Sequence, residues 1–211
     1  MNREFIDMPQ RIAKLPIDKR GFPVPFFATW IDGIPDFRMV RPERVVEAIK
    51  FNKCWVCGEK LGSHKAFVIG PMCAITETSA DAPVHKECAI FSAKNCPFLA
   101  NPQAKRNEKG LPGEKMEVGN MIKRNPGVVM VWITKNFKPF KAGDGILFDI
   151  GLPTDVMFFS QKRPATKEEV IESIESGECA IKNIAIQDGD LEEYQRRRDK
   201  IISLINEKIS R

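Results

Sequence analysis

A Cys-x-x-Cys pair, Cys54 and Cys57, is followed by a His-x-x-Cys pair, His85 and Cys88. Two thiolates and two further nitrogen or sulfur donors, in two pairs well separated in sequence, form the ligand pattern of a closed tetrahedral zinc site. The chain between the pairs must then leave and return to one ion. A structural zinc contributes on the order of 10 kcal/mol to the folding of so small a unit. The competing expectation is a set of buried thiols without an ion. Cys73 or Cys96 could stand in for His85, but both read better as ordinary core cysteines, a residue type that is commonly buried. Cys179 is given no role.

The order of segments suggests how the site is built. KCWVCGEKLG reads as a knuckle, a turn holding two thiolates with Gly58 after the second. KAFVIGPMCAIT reads as two short strands around Gly70-Pro71. SADAPVHKECAIFSAKN begins as a loop and becomes a helix, with Ser79 or Asp81 as its cap and Ala89, Ile90 and Phe91 on its apolar face. Knuckle, hairpin, then a helix whose first turn carries the second pair is the layout of a treble-clef zinc finger. Backbone amides of the knuckle and of the helix N-terminus would stabilise the thiolates.

On either side the chain reads as α+β. RGFPVPFF is extended, and FFATWI-DG-IPDFRMV is a hairpin with a tight turn at Asp32-Gly33 and an edge strand marked by Pro35. Pro42 opens a short helix striped by Val45, Val46 and Ile49. Three strands, VVMVWIT, GILFDIG and VMFFS, read as an antiparallel meander broken by turn-rich KNFKPFKAGD and LPTD. Thr166 and Glu169 form a capping box, with Gly177 ending that helix, and a last helix runs from Leu191 to Ile209. Its apolar side carries Leu191, Tyr194, Ile201, Ile202, Ile205 and Ile209. The expected organisation is a hairpin, short helix and zinc unit over 1–100, a charged loop over 101–126, the meander over 127–165 and helices over 166–211.

The chain has 211 residues, a formal net charge of +5 and a pI near 8.9. No apolar run is long enough for a membrane span, and MNREFIDMPQRIAK lacks the apolar stretch of a signal peptide. A cytoplasmic protein is expected. Six cysteines, four of them between residues 54 and 88, then suggest metal binding over disulfides. The positive excess suits nucleic acid or an acidic partner. The candidate contacts are Lys105, Arg106, Lys123 and Arg124 on the loop and Arg196, Arg197 and Arg198 on the last helix, although charge runs on helices are commonly solvated.

Catalytic patterns find less support. Four protein ligands leave a zinc no open position. His85-Lys86-Glu87 resembles part of a zinc deaminase motif, but the Cys pair precedes it and Cys88 would fill the water's place. A treble-clef nuclease needs a general base, for which only His64, in a Gly-Ser loop, remains. Cys73 as a nucleophile would depend on the same His64. Lys162-Arg163, just before a helix, could hold an anion but reads first as a solvated basic loop. Asp32, Asp36, Asp144, Asp149 and Asp155 fit turn positions. Trp30, Trp55 and Trp132 fit core packing, and no phosphate-binding loop or dinucleotide fingerprint occurs.

FVIGPMC, HKECA, NCPFL, RNPGVVMVWIT and RPATKEEVIESIESG, in that order over roughly residues 20–180, resemble a family of zinc-binding proteins from bacterial and bacteriophage genomes without an established activity. The resemblance implies a phage or mobile-element setting. It places Cys54, Cys57, His85 and Cys88 at the metal-ligand positions and makes RPATKEEVIESIESG a docking or capping helix. The expected function is binding, with a structural zinc and, as partner, nucleic acid or a host protein that handles it. One alternative is a phage-encoded inhibitor of a host enzyme or defence system. The other is a metal-dependent nuclease or nucleotide-modifying enzyme built on the zinc unit.

Overall fold

β5 (Val129–Thr134) is buried at every position, which an edge or one-faced strand cannot be. It lies second in a four-stranded antiparallel sheet of order β3-β5-β8-β9, with β3 at Lys65–Ile69, β8 at Asp155–Ser160 and β9 at Arg163–Pro164. A near-continuous apolar run, VMVWIT, suits a strand covered on both faces. α4 (Lys86–Asn95) packs against β3, β5 and β8. Phe67 of β3 meets Phe148 of the neighbouring sheet and Phe137 in the turn that leads into it. The computed structural model describes residues 3–111 and 125–209.

That neighbouring sheet has the order β4-β7-β6, with β4 at Thr78–Ser79, β6 at Lys138–Ala142 and β7 at Gly145–Asp149. Two expectations fail here. The three apolar strands do not form a meander: β5 and β8 pair with each other, while β7 belongs to the second sheet. KNFKPFKAGD also holds a strand, β6, joined to β7 by a hairpin. The fold is α+β with antiparallel sheets and C-terminal helices, as the sequence suggests.

The Asp32-Gly33 turn joins β1 (Ala28–Ile31) to β2 (Ile34–Val40) as a separate two-stranded hairpin. Both turn residues have positive φ, as the tight hairpin requires. α1 (Gln10–Ala13) precedes it, and α2 (Pro42–Lys50) follows with Pro42 in its first turn. Val45 and Ile49 pack on the core, but Val46 is exposed, so the helix stripe is narrower than expected.

Two further corrections concern α3 (Pro71–Ile75) and α5 (Lys167–Asp188). GPMCAI is a short helix opened by Pro71, not the second strand of a hairpin, and β3 takes β5 as its partner instead. Gly177 does not end α5. The helix continues to Gly189, whose left-handed backbone (φ 76°) closes it. Gly177 is buried where α3 crosses α5, and a Cβ there would lie 2.8 Å from Met72 Cγ. The residue serves close approach rather than termination. The Thr166–Glu169 capping box is present. α6 (Leu191–Ile209) then packs back on α3 and α5, with Tyr194, Ile201 and Ile205 buried. No helix among the described residues is long and apolar enough to cross a membrane.

Candidate metal centre

Lys53 and Lys60 pair as an isolated bridge and pinch the chain into the knuckle. Inside it the Cys54 amide donates to Glu59 O (2.8 Å) and the Gly58 amide to Cys54 O (2.9 Å). The Cys57 amide lies 3.5 Å from Cys54 Sγ, so a backbone dipole faces the sulfur. The second pair arrives from another direction. Val84 and Ala66 exchange two 2.8 Å backbone hydrogen bonds, which tie the chain before α4 to β3. His85 is the residue before α4, in an extended conformation, and Cys88 lies in the first turn. The helix has no side-chain cap: Ser79 belongs to β4 and bonds the backbone of Asp81, and Asp81 accepts from Trp55 Nε1.

These two supports bring the four donor atoms of Cys54, Cys57, His85 and Cys88 within 4.8 Å of one another. His85 Nδ1 is 3.4 Å from Cys57 Sγ and 3.9 Å from Cys88 Sγ. A tetrahedron with Zn–S near 2.3 Å and Zn–N near 2.0 Å has edges of roughly 3.5–3.8 Å, so the spacing fits. Cys54 and Cys88 are wholly buried, and Cys57 nearly so. The cluster can hold a metal ion, and its donors are those of a zinc site.

The thiols are electrostatically unequal. Burial pushes the Cys54 thiol up, but hydrogen bonds from the Cys57 and Cys88 side chains and from the backbone at Cys57 and His85 outweigh it and hold Cys54 down to about 3. Cys88 is pushed up, first by its hydrogen bonds to Cys54 and Cys57 and then by burial. Three crowded thiolates repel one another unless a cation sits among them.

His85 Nε2 lies 3.1 Å from Lys60 O and 2.8 Å from Arg11 Nη1. A guanidinium only donates, so its Nε2 contact requires the proton on Nδ1 and the Lys60 contact requires it on Nε2; in the second case Arg11 Nη1, 3.3 Å from Nδ1, can donate there instead. Only the tautomer with the proton on Nε2 leaves Nδ1 unprotonated beside the sulfurs, and a carbonyl partner on the far nitrogen is the usual support for a ligating histidine. Arg11 also pairs with Glu87 (2.5 Å) and Glu59 (3.2 Å), linking α1 to the knuckle and α4. A divalent ion with three thiolates carries a net charge of −1, which this guanidinium offsets. Arg11 has no spacing pattern in the sequence that marks it as part of the site.

Cys73 lies on α3, Cys96 at the end of α4, and Cys179 is exposed on α5; none joins the cluster. His64 is exposed, with Ser63 Oγ 3.3 Å from its Nδ1. Trp55 and Trp132 are buried, but Trp30 is 42% exposed, against the expectation of core packing. Among the described residues, most of the expected basic contacts are engaged by neighbouring groups. Arg196 and Arg197 both bond Glu193, and Arg198 bonds Glu178. Arg106 donates to Arg38 O, Lys105 is exposed, and Lys123 and Arg124 lie outside the described residues. Arg163 makes two 2.8 Å bonds to Glu169, so it does not form an open anion site with Lys162. The chain matches no family model, no curated protein and no solved structure in the three comparisons made.

Proposed function

We propose that this chain is a zinc-stabilised binding protein of a bacterial or bacteriophage cytoplasm, and that its partner is nucleic acid. The observation that carries the proposal is the closure of the metal centre. Four protein donors converge within 4.8 Å, so a tetrahedral ion held by them has no position for water or substrate. Zinc in such a site supports a fold and performs no reaction. The knuckle, β3, the Ala66–Val84 bridge and α4 form a treble-clef-like unit in this proposal, with residues 70–83 as an excursion inside its hairpin. The partner is argued from charge. The chain carries +5, and several lysines, among them Lys60, Lys135, Lys138 and Lys141, make no ion pair with a described residue.

Zinc-loaded protein mixed with labelled DNA and RNA at ~50 and ~200 mM salt tests this. Binding that weakens steeply at the higher salt, as counterion release demands, is the expected result. No binding at the lower salt contradicts it, and breakdown of the probe on adding Mg²⁺ or Mn²⁺ would favour the enzyme alternative instead.

A second proposal, inhibition of a host enzyme or defence protein by direct contact, has its own observation. Trp30, Ile31 and Ile34, at the tip of the isolated hairpin, are 42%, 44% and 56% exposed. A clustered apolar tip is a common feature of protein-binding surfaces. Binding to a protein partner that persists at high salt would favour it.

A further inference from the structure

We propose that Lys135, Lys138, Phe140 and Lys141, with Lys65 alongside, form a binding strip for single-stranded nucleic acid. The inference rests on the nucleic-acid partner proposed above and names its site and substrate class. The strip begins where β5 ends its ladder with β3: Lys65 faces Thr134, and Lys135 follows. Its start is held firmly. Buried Thr134 accepts the Asn136 amide (3.1 Å), and its one hydroxyl proton lies between two acceptors, Asn136 O (2.8 Å) and Leu152 O (2.9 Å). Gly151 lies so close that a Cβ there would be 2.0 Å from Asn136 O. Phe137 anchors the turn inward against Phe67 and Phe148.

β6 then runs along the open edge of the second sheet. Lys135, Lys138 and Lys141 are exposed and make no ion pair with a described residue, unlike Arg196, Arg197 and Arg198. Two acidic residues lie near: Asp149, opposite Lys138 in the ladder, and Asp144 in the turn after Lys141. Asp149 already accepts the Gly151 amide (2.9 Å). Four lysines against two aspartates leave the strip positive.

Lysine and proline on an edge strand also discourage pairing with another strand, which by itself would explain Lys138, Pro139 and Lys141. It does not explain Phe140. This ring is 39% exposed, faces the same side as Lys138, and sits opposite Leu147. An exposed aromatic on an open edge strand invites association. Lys138 shares that face and Lys141 lies next along the same edge on the other face, so the ring sits between cations that attract phosphate and is instead suited to a base, because every base offers a π-face. A duplex hides those faces, so the strip selects single strands.

Fluorescence anisotropy with labelled dT12, rU12 and a 12-bp duplex, at ~50 and ~200 mM salt, tests the strip on the zinc-loaded full chain. The wild type is expected to bind one or both single strands more tightly than the duplex. Phe140→Ala should weaken that binding about tenfold, within the range for loss of one stacked base. Lys138→Glu and Lys141→Glu should each weaken it and flatten its salt dependence. Lys182→Glu, the same charge change on α5, should stay within about twofold of the wild type. Zinc content and melting temperature identify any variant whose fold has changed, and Phe140→Leu, which keeps an apolar side chain, should bind no better than Phe140→Ala. Wild-type binding that all strip variants retain would overturn the strip while leaving the nucleic-acid partner standing. Preference for the duplex would overturn the single-strand class. No binding to any probe would overturn the partner and the strip together.

Discussion

Arg11 sets the balance of charge around His85. Its guanidinium lies beside the imidazole and bridges Glu59 and Glu87, and its own proton is held more tightly than usual: burial opposes this, and Glu87, Cys57 and Glu59 outweigh burial. A three-thiolate site loaded with a divalent ion is an anion, so a fixed cation beside it favours the loaded form. Replacing Arg11 with Ala leaves the four donors in place but removes that support. We expect Arg11→Ala to keep its zinc yet yield it about 10- to 100-fold more readily to a competing chelator, the usual cost of losing a partner of a metal ligand. Equal zinc affinity in the variant and the wild type would show that Arg11 only braces α1. The four donors themselves were legible because two short spacings announce them. Arg11 was not, since it lies 43 positions before Cys54 and only folding brings them together.

α5 shows what a local pattern can and cannot reveal. Its start was legible because a capping box is written in four consecutive residues, Thr166 to Glu169. Glu169 is held down to about 2, chiefly by its hydrogen bond from Arg163, with the Thr166 amide adding to it and burial opposing it. A carboxylate depressed in the fold stabilises it above the ordinary value of about 4.5, and that stabilisation fades as pH falls through about 2. Glu169→Gln should therefore melt below the wild type at pH 6, with the gap closing between about pH 4.5 and 2 in paired thermal scans. A gap that does not change with pH would rule out this role for the charge. The end of α5 was misread because Gly177 is there for its neighbour. Gly177→Ala gains about 1 kcal/mol of helix propensity but forces Met72 aside at a cost of about 1–3 kcal/mol. We expect a net loss in urea unfolding that disappears when Met72→Ala is also present.

Across the whole molecule, strands were legible and sheets were not. Alternation and apolar runs located β1, β2, β5, β7 and β8, yet nothing local to VVMVWIT or GILFDIG says that they join different sheets. That partition follows from long-range pairing, in which β3 takes β5 and β4 takes β7. β6 was hidden for another reason: Lys and Pro on an exposed edge resemble a turn in composition. The metal centre ties these distant pairings together, since its knuckle leads into β3 and its second ligand pair opens the helix that covers β3, β5 and β8. Zinc content together with zinc-edge X-ray absorption on the purified protein tests that centre most directly. One zinc per chain, bound by three sulfurs and one nitrogen, lost in Cys88→Ser but retained in Cys73→Ser and Cys96→Ser, is the predicted result. A first shell that contains water oxygen, or one that loses a sulfur in Cys73→Ser or Cys96→Ser, would contradict the closed Cys54, Cys57, His85, Cys88 site.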